Sequence, residues 1–437
     1  MGIVVKDILA IVPEDSTQRN SPPAARVVSL YIDGELIVGI DKAPPEFAAE
    51  RTIDGAGKLM IPGLVNAHTH AYMSYFRNWA DDVDFDTWLF KRIMPVEDKL
   101  VSEDAYWGAQ LSMIEMLRGG VTSFLDMHMF PYATVNAATE LGMRAVVSRG
   151  LSGGESDKAG GARRIKEALD EYNSCANLSR LVTFMIAPHA VTTCDEGYMR
   201  EIADTARELR LGIHTHLAEG GSETVLAMEK YGCSPAELYD RCGLLSDTTV
   251  AAHCVHLSDS DIDLLAERGV SIAVNHGSNL KLANGISPVP RLLERGVNLC
   301  IGTDSAASNN SLSILREIGL VSLLHKGLTG DPTVISASDA FLMATRNGAR
   351  ALGLSDVGEI RVGYRADLVI FDIQRPELVP IGDPIAALSY SNSGMTADTV
   401  ICNGSVLMQN GEFTNIDVER IIYEVTSRAQ RLGLTDK

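Results

Sequence analysis

The sequence predicts an α/β fold, a (β/α)8 TIM barrel carrying a small β-sandwich built from both ends of the chain. Three observations predict it. In the middle of the 437-residue chain, eight short apolar runs alternate with amphipathic stretches of helical period. His, Asp or Arg stands near the C-terminal ends of these runs, where such a barrel builds its active site, and eight of the ten histidines fall inside them. The first 60 and last 80 residues read differently, as short strands separated by turn signals. The length accommodates a barrel of about 250 residues plus a smaller module.

The elements follow in order. Ile3–Val12, Val27–Tyr31, Glu35–Ile40 and Thr52–Met60 read as strands, with Gly34 supplying a tight turn. The barrel runs are Ile61–His68, Val121–His128, Ala145–Leu151, Thr183–His189, Gly212–His216, Val250–Leu257, Ser271–His276 and Leu299–Asp304. Strands return at Glu359–Val362, Asp367–Asp372, Thr399–Cys402 and Ser405–Gln409, with Asn403-Gly404 a hairpin turn, before a helix over 417–431. Residues 1–60 and 356–437 are thus assigned to the sandwich and its final helix, and 61–355 to the barrel. Two long segments are expected to cover the pocket: Ala71–Leu100, with Trp79 and Trp88, and the glycine-rich, mobile Ser152–Gly161.

Apolar residues make up 46% and charged residues 22%, ordinary for a soluble globular chain. The net charge of −19 would repel a phosphate backbone or an anionic membrane, so neither nucleic acid nor membrane is expected as a partner. No apolar run reaches the 18 residues of a membrane span. The N-terminus, MGIVVKDILAIVPEDS, carries Lys6 and Asp7 inside its apolar run and lacks a small-residue cleavage site, which favours a strand over a signal peptide. Seven scattered cysteines without a CxxC pair fit reduced thiols and a cytoplasmic location.

The chemistry concentrates at strand ends. His68-Thr69-His70 closes the first run, and residues i and i+2 of a strand share a face, so both imidazoles can meet one ion. The fifth run gives His214-Thr215-His216 followed by Glu219, the sixth His253 and His256, and the eighth Asp304. Three imidazoles and one carboxylate suit a single Zn²⁺, with Fe²⁺ the alternative. An ion so held lowers the pKa of bound water to about 7 and supplies hydroxide at neutral pH.

The segments PGLVNAHTH, HTHLAE, AAHCVH, SNLKLANG, GTDSAASNN and GYRADLV, in this order, resemble the amidohydrolase superfamily over essentially the whole chain. They look like its aminohydrolase branch, which contains methylthioadenosine/S-adenosylhomocysteine deaminases, guanine deaminases and s-triazine hydrolases. The resemblance implies one metal held by His68, His70, His216 and Asp304, with Asp304 also the base. It implies Glu219 as catalytic acid and His253 as the group that holds the attacking water or the developing oxyanion. Within the branch, Trp88 matches a lid tryptophan on the substrate, His189 a strand-four histidine at the sugar, and Arg149 and Arg164 two arginines on the ribose side and tail, with Arg163 adjoining. The implied function is hydrolytic deamination of 5′-methylthioadenosine, S-adenosylhomocysteine or adenosine; the alternative is another N-heterocycle (guanine, a pterin, cytosine or an s-triazine). A homo-oligomer is common in the look-alike group.

Departures from that pattern lie at the mouth of strands seven and eight, where Val274, His276 and Ser305 stand in place of the usual histidine, proline and glycine; further on, Ser313 replaces a common acidic residue. The remaining groups read as structural. His214 is expected one layer below His216 as a satisfied barrel histidine, and His256 facing away from His253. His128 is a candidate for the mouth, His276 is open between pocket and core, and His325 is expected to face solvent. Glu97 and Asp98 resemble a helix start.

Overall fold

The computed structural model describes residues 2–18, 20–175 and 177–435. The chain ends form a single mixed sheet of nine strands. Its N-terminal members are β1 (Gly2–Pro13), β2 (Pro23–Asp33), β3 (Leu36–Ile40), β4 (Arg51–Asp54) and β5 (Lys58–Pro62). The barrel strands are β6 (Leu64–Thr69), β7 (Val121–His128), β8 (Arg144–Leu151), β9 (Val182–Pro188), β10 (Gly212–Leu217), β11 (Thr249–His253), β12 (Ser271–Val274) and β13 (Asn298–Ile301). The C-terminal part adds β14 (Leu368–Asp372), β15 (Thr399–Cys402), β16 (Ser405–Gln409) and β17 (Glu412–Phe413).

The two chain ends meet where β5 pairs antiparallel with β14, Ile61 opposite Val369. The long strand β1 pairs with β4 through Ile3–Lys6 and with β5 through Leu9–Ala10, and a bulge lies between Val5 and Ile8. A bulge bends its strand, and the chain ends form one continuous sheet rather than the two of a sandwich. One face, including Ile3, Val5, Ile8, Leu30, Ile32, Leu368 and Ile370, encloses its own core, while Ile11, Leu59, Ile61 and Phe371 join the barrel core.

The eight barrel strands run parallel in chain order from β6 to β13. No ladder joins β13 back to β6 among the described residues. The seam is closed instead by the Asp304 N–H to the His68 carbonyl (2.9 Å) and by Asn66, which donates to Thr303 Oγ1 (2.7 Å) and accepts from Thr303 N (3.0 Å). Closure of the barrel therefore places Asp304 beside His68.

Several expected elements differ. Thr52–Met60 is two strands, because a turn at Gly55–Gly57 intervenes: a Cβ on Gly55 would lie 2.3 Å from Ile8 Cβ, and Gly57 has φ +73°. Ile61 and Pro62 belong to the terminal sheet, and the first barrel strand starts at Leu64. Glu359–Val362 is not a strand; it is bracketed by left-handed Gly358 and Gly363, and Arg361 bonds Glu359 and the Gln18 carbonyl. The glycines of 152–161 serve close packing. Gly160 and Gly161 lie in the helix Lys158–Cys175, and a Cβ on Gly161 would sit 2.9 Å from Tyr198. The seven cysteines are free, and none of the described helices is long and apolar enough to cross a membrane.

Candidate metal centre and active site

Strand β6 carries His68, His70 follows directly after its last residue, and β10 delivers His216. His70 Nε2 lies 3.3 Å from His216 Nε2. Asp304 Oδ1 lies 3.7 Å from His68 Nε2 and 3.5 Å from His70 Nε2. A tetrahedral ion with bonds of about 2.05 Å holds its ligand atoms roughly 3.3 Å apart, so these separations fit one small divalent ion. His68 Nε2 is buried without a hydrogen-bond partner among the described residues, as a lone pair reserved for a metal would be. His253 joins His68 and Asp304 in a second group whose donor atoms all lie within 4.8 Å.

The outer nitrogens are fixed. His68 Nδ1 lies 2.7 Å from His214 Nε2, His70 Nδ1 donates to the Met127 carbonyl (2.9 Å) and His216 Nδ1 to the His189 carbonyl (2.9 Å). Such bonds set the tautomer that presents Nε2 to an ion. Burial pushes His68, His214 and His216 well below the ordinary histidine range, so they are neutral, the state in which imidazole ligates. His214 is a satisfied barrel histidine, held between His68 and Ser148 Oγ (3.0 Å).

Backbone strain marks the same places. Ala218, His253, Cys254 and Asp304 all have φ between +50° and +72°. Non-glycine residues there cost about 1–3 kcal/mol each and cluster at functional sites. Strands β11 and β13 end at His253 and Ile301, so these side chains stand at or just past their strand ends.

Glu219 follows β10, and its Oε2 lies 3.7 Å from His253 Nε2. Its Oε1 accepts from Asn284 Nδ2 (3.0 Å), and its N–H donates to Glu223 Oε2 (2.9 Å). Burial and the nearby Asp304 carboxylate push Glu219 up to about 8, a carboxyl that keeps its proton near neutral pH. His253 Nδ1 meets Asn279 Oδ1 at 2.8 Å. Sequence reasoning missed these supporting residues, although Asn279 and Asn284 lie inside the SNLKLANG segment it singled out.

The expected substrate contacts are less closely gathered. Trp88 is buried with its indole N–H unpartnered among the described residues, in a cluster with Tyr72, Met73 and Phe76. His189 packs at a tilt of 57° against His216, with ring centroids 4.7 Å apart, and bonds Thr193 through Nδ1 (3.0 Å). Arg149 is paired with Glu167 (2.5 Å) and Glu171 (3.3 Å). Arg164 bonds Asp157 and the Ser152 carbonyl, each at 2.8 Å, while Arg163 is 66% exposed.

Two structural expectations are corrected. His325 does not face solvent: it is 3% exposed and its Nε2 lies 3.0 Å from that of His276, which settles His276 in the core rather than the pocket. Helix Ile314–Thr329 buries the face that carries it. Glu97 is not at a helix start but ends the turn Met94–Glu97 and accepts from the Tyr72 hydroxyl. Tyr72 also packs on His128, ring centroids 3.9 Å apart. His256 does face away, exposed and bonded to the Asn284 carbonyl (2.8 Å).

A barrel with a His/Asp cluster able to hold a metal at its strand ends defines a class of metal-dependent hydrolases. The chain belongs to the Amidohydrolase family, whose sequence profile matches residues 59–407. It is 40% identical over 434 residues, 99% of each chain, to the 5-methylthioadenosine/S-adenosylhomocysteine deaminase of Thermoanaerobacter pseudethanolicus. It is 43% identical over 407 residues, 93% of this chain and 94% of the relative, to the enzyme of that name from Caldanaerobacter subterraneus. Among solved structures it resembles an adenosine deaminase of Xanthomonas campestris with bound zinc (TM-score 0.91, 29% identity, 99% and 98% coverage). It also resembles the zinc-complexed atrazine chlorohydrolase of Arthrobacter aurescens (TM-score 0.89, 26% identity, 98% and 100% coverage).

Proposed function

We propose that this chain is a metal-dependent hydrolytic deaminase of adenosine-type nucleosides, with 5′-methylthioadenosine and S-adenosylhomocysteine as preferred substrates. The observation that carries the reading is the set of relatives of that name, at 40–43% identity over nearly the whole chain, supported by a His/Asp cluster able to hold an ion and a carboxyl, Glu219, that keeps its proton beside it. His68, His70, His216 and Asp304 are the residues that would hold the ion, zinc by analogy with the zinc-bound relatives. When bound, the ion supplies Lewis acidity that makes water a nucleophile at neutral pH. Deamination adds that water's oxygen to the amine-bearing ring carbon and expels ammonia. Asp304 takes a proton from the water and passes it to the departing nitrogen. Glu219, protonated near neutral pH, gives its proton to the adjacent ring nitrogen and recovers one from the added hydroxyl as the carbonyl forms and ammonia leaves. His253 holds the water on the side facing the ring.

Trp88 and His189 are the groups we assign to base and sugar. Arg149 and Arg164 are assigned to the ribose side and the substrate's tail, for which Arg149 would exchange Glu167 and Glu171, and Arg164 Asp157, for groups of the ligand. That engagement of both arginines favours a second reading, a hydrolase of a sugar-free heterocycle such as a guanine, pterin or s-triazine. Cytoplasmic location, supported by the free thiols, and a homo-oligomeric state complete the proposal. The test is zinc-loaded protein incubated with 5′-methylthioadenosine, S-adenosylhomocysteine and adenosine, beside a panel of free bases and pterins. Ammonia release and loss of the adenine absorbance band are expected for the nucleosides. Turnover of the sugar-free rings alone would replace the first reading with the second.

A further inference from the structure

We propose that Asn279 is a positioning residue that fixes His253 with its proton on Nδ1, so that Nε2 meets the attacking water as a hydrogen-bond acceptor. The water rests on the deaminase reading; the tautomer does not.

His253 is fully buried, and its two ring nitrogens face different surroundings. Nδ1 lies 2.8 Å from Asn279 Oδ1. Nε2 has no hydrogen-bond partner among the described residues, and it faces Glu219 Oε2 at 3.7 Å and the donor atoms of His68 and Asp304. An imidazole N–H aimed at a cation site would present the positive end of its dipole to the ion. A lone pair there is favoured, which puts the proton on Nδ1, donated to Asn279 Oδ1. The backbone holds the ring in place: His253 has φ +72° and Cys254 φ +51°, and the N–H groups of Cys254 and Val255 donate to the Leu217 and Ala218 carbonyls.

Asn279 is anchored through its backbone, bonded to the Asn275 carbonyl and the Asn284 N–H. Its Nδ2 has no partner among the described residues, so the lone pair favoured at His253 Nε2 is what turns Oδ1 toward Nδ1. Asn279 is 1% exposed and lies in the helix His276–Lys281, four consecutive residues of which divide the work. His276 meets His325 (3.0 Å) and the Gly277 N–H donates to Glu317 Oε2 (3.0 Å), docking the first turn on the helix Ile314–Thr329. Ser278 then reaches Asp304 (2.7 Å) and Asn279 reaches His253. The consequence is a choice between the two roles open to His253. In this tautomer Nε2 takes a hydrogen bond from the water and turns the oxygen lone pair toward the ring carbon, while the water's proton goes to Asp304. It does not donate to an oxyanion.

The test is made on zinc-loaded protein labelled with ¹⁵N-histidine, with the His253 signals assigned by their loss in His253→Gln. Two-bond correlations should report a proton-bearing Nδ1 and a lone-pair Nε2; the reverse pattern overturns the proposal. Asn279→Leu should mix the tautomers and lower kcat about tenfold, with zinc stoichiometry unchanged and KM within about twofold. Asn279→Asp, which retains an acceptor, should keep the wild-type tautomer and more of kcat. Wild-type kcat and tautomer in Asn279→Leu would overturn the assignment; if that variant does not fold, the labelled wild type and Asn279→Asp decide. The spectra need no turnover, so failure of the substrate reading leaves this result standing.

Discussion

Ser278 Oγ donates a 2.7 Å hydrogen bond to Asp304 Oδ2 while the Ser305 N–H donates to Oδ1 at 2.6 Å, so both carboxylate oxygens are held. Asp304 therefore presents one fixed edge, Oδ1, to His68 and His70. For the ligand and proton-shuttle role proposed for Asp304, a single orientation is an advantage, since misplacement is costly at every step.

Ser278→Ala removes one of these bonds without touching the ligand set. Outer partners of metal ligands contribute 10–100-fold to affinity or activity. We expect kcat to fall by about tenfold, with zinc bound more weakly in competition with a chromophoric chelator. Unchanged kcat and zinc affinity would mean that the Ser305 N–H alone orients Asp304.

Glu219→Gln keeps the size and the Asn284 contact but removes the proton donor. Loss of a general acid costs about 10²–10⁴ in rate. We expect kcat to drop in that range, zinc content to stay at one ion per chain, and KM to change little. A loss of zinc in parallel would assign Glu219 to the metal site instead.

Much of this centre was legible because its signals are local. The i, i+2 spacing of His68 and His70 and the position of each run in the β/α rhythm needed no tertiary information. The companions were not legible for a physical reason. Asn279 lies 26 positions from His253 and Ser278 26 from Asp304, so only the docking of one helix turn reveals the pairs. His325 was misread because its amphipathic helix packs its face against His276.

Gly302 shows how tightly the seam is packed. A Cβ there would lie 2.3 Å from Asn275 Oδ1 and 2.9 Å from His68 Cβ and N. Overpacking of this kind costs about 1–3 kcal/mol, and relief by movement would displace His68. Gly302→Ala should lower the thermal midpoint and the zinc affinity together. A variant of unchanged midpoint that still binds zinc at wild-type strength would show that Asn275 gives way instead.

The His276–His325 pair makes stability depend on pH. Burial lowers His325 to about 4 and His276 to about 3, against 6.5 when unfolded. Both folded-state values lie below the unfolded one, so the unfolded chain binds more protons between them and stability falls as pH drops from about 6.5 toward 4. For His325 alone the loss between pH 7.5 and pH 5 is about 2 kcal/mol. Glu317, buried on the same helix and raised by that burial, works in the opposite sense, and a comparison of variants cancels it. His325→Gln keeps a polar partner for His276 and removes one titration. Its thermal midpoint should fall less than that of the wild type between pH 7.5 and pH 5. Equal falls in the two proteins would show that His325 takes up no proton on unfolding in this window, and that acid sensitivity arises elsewhere.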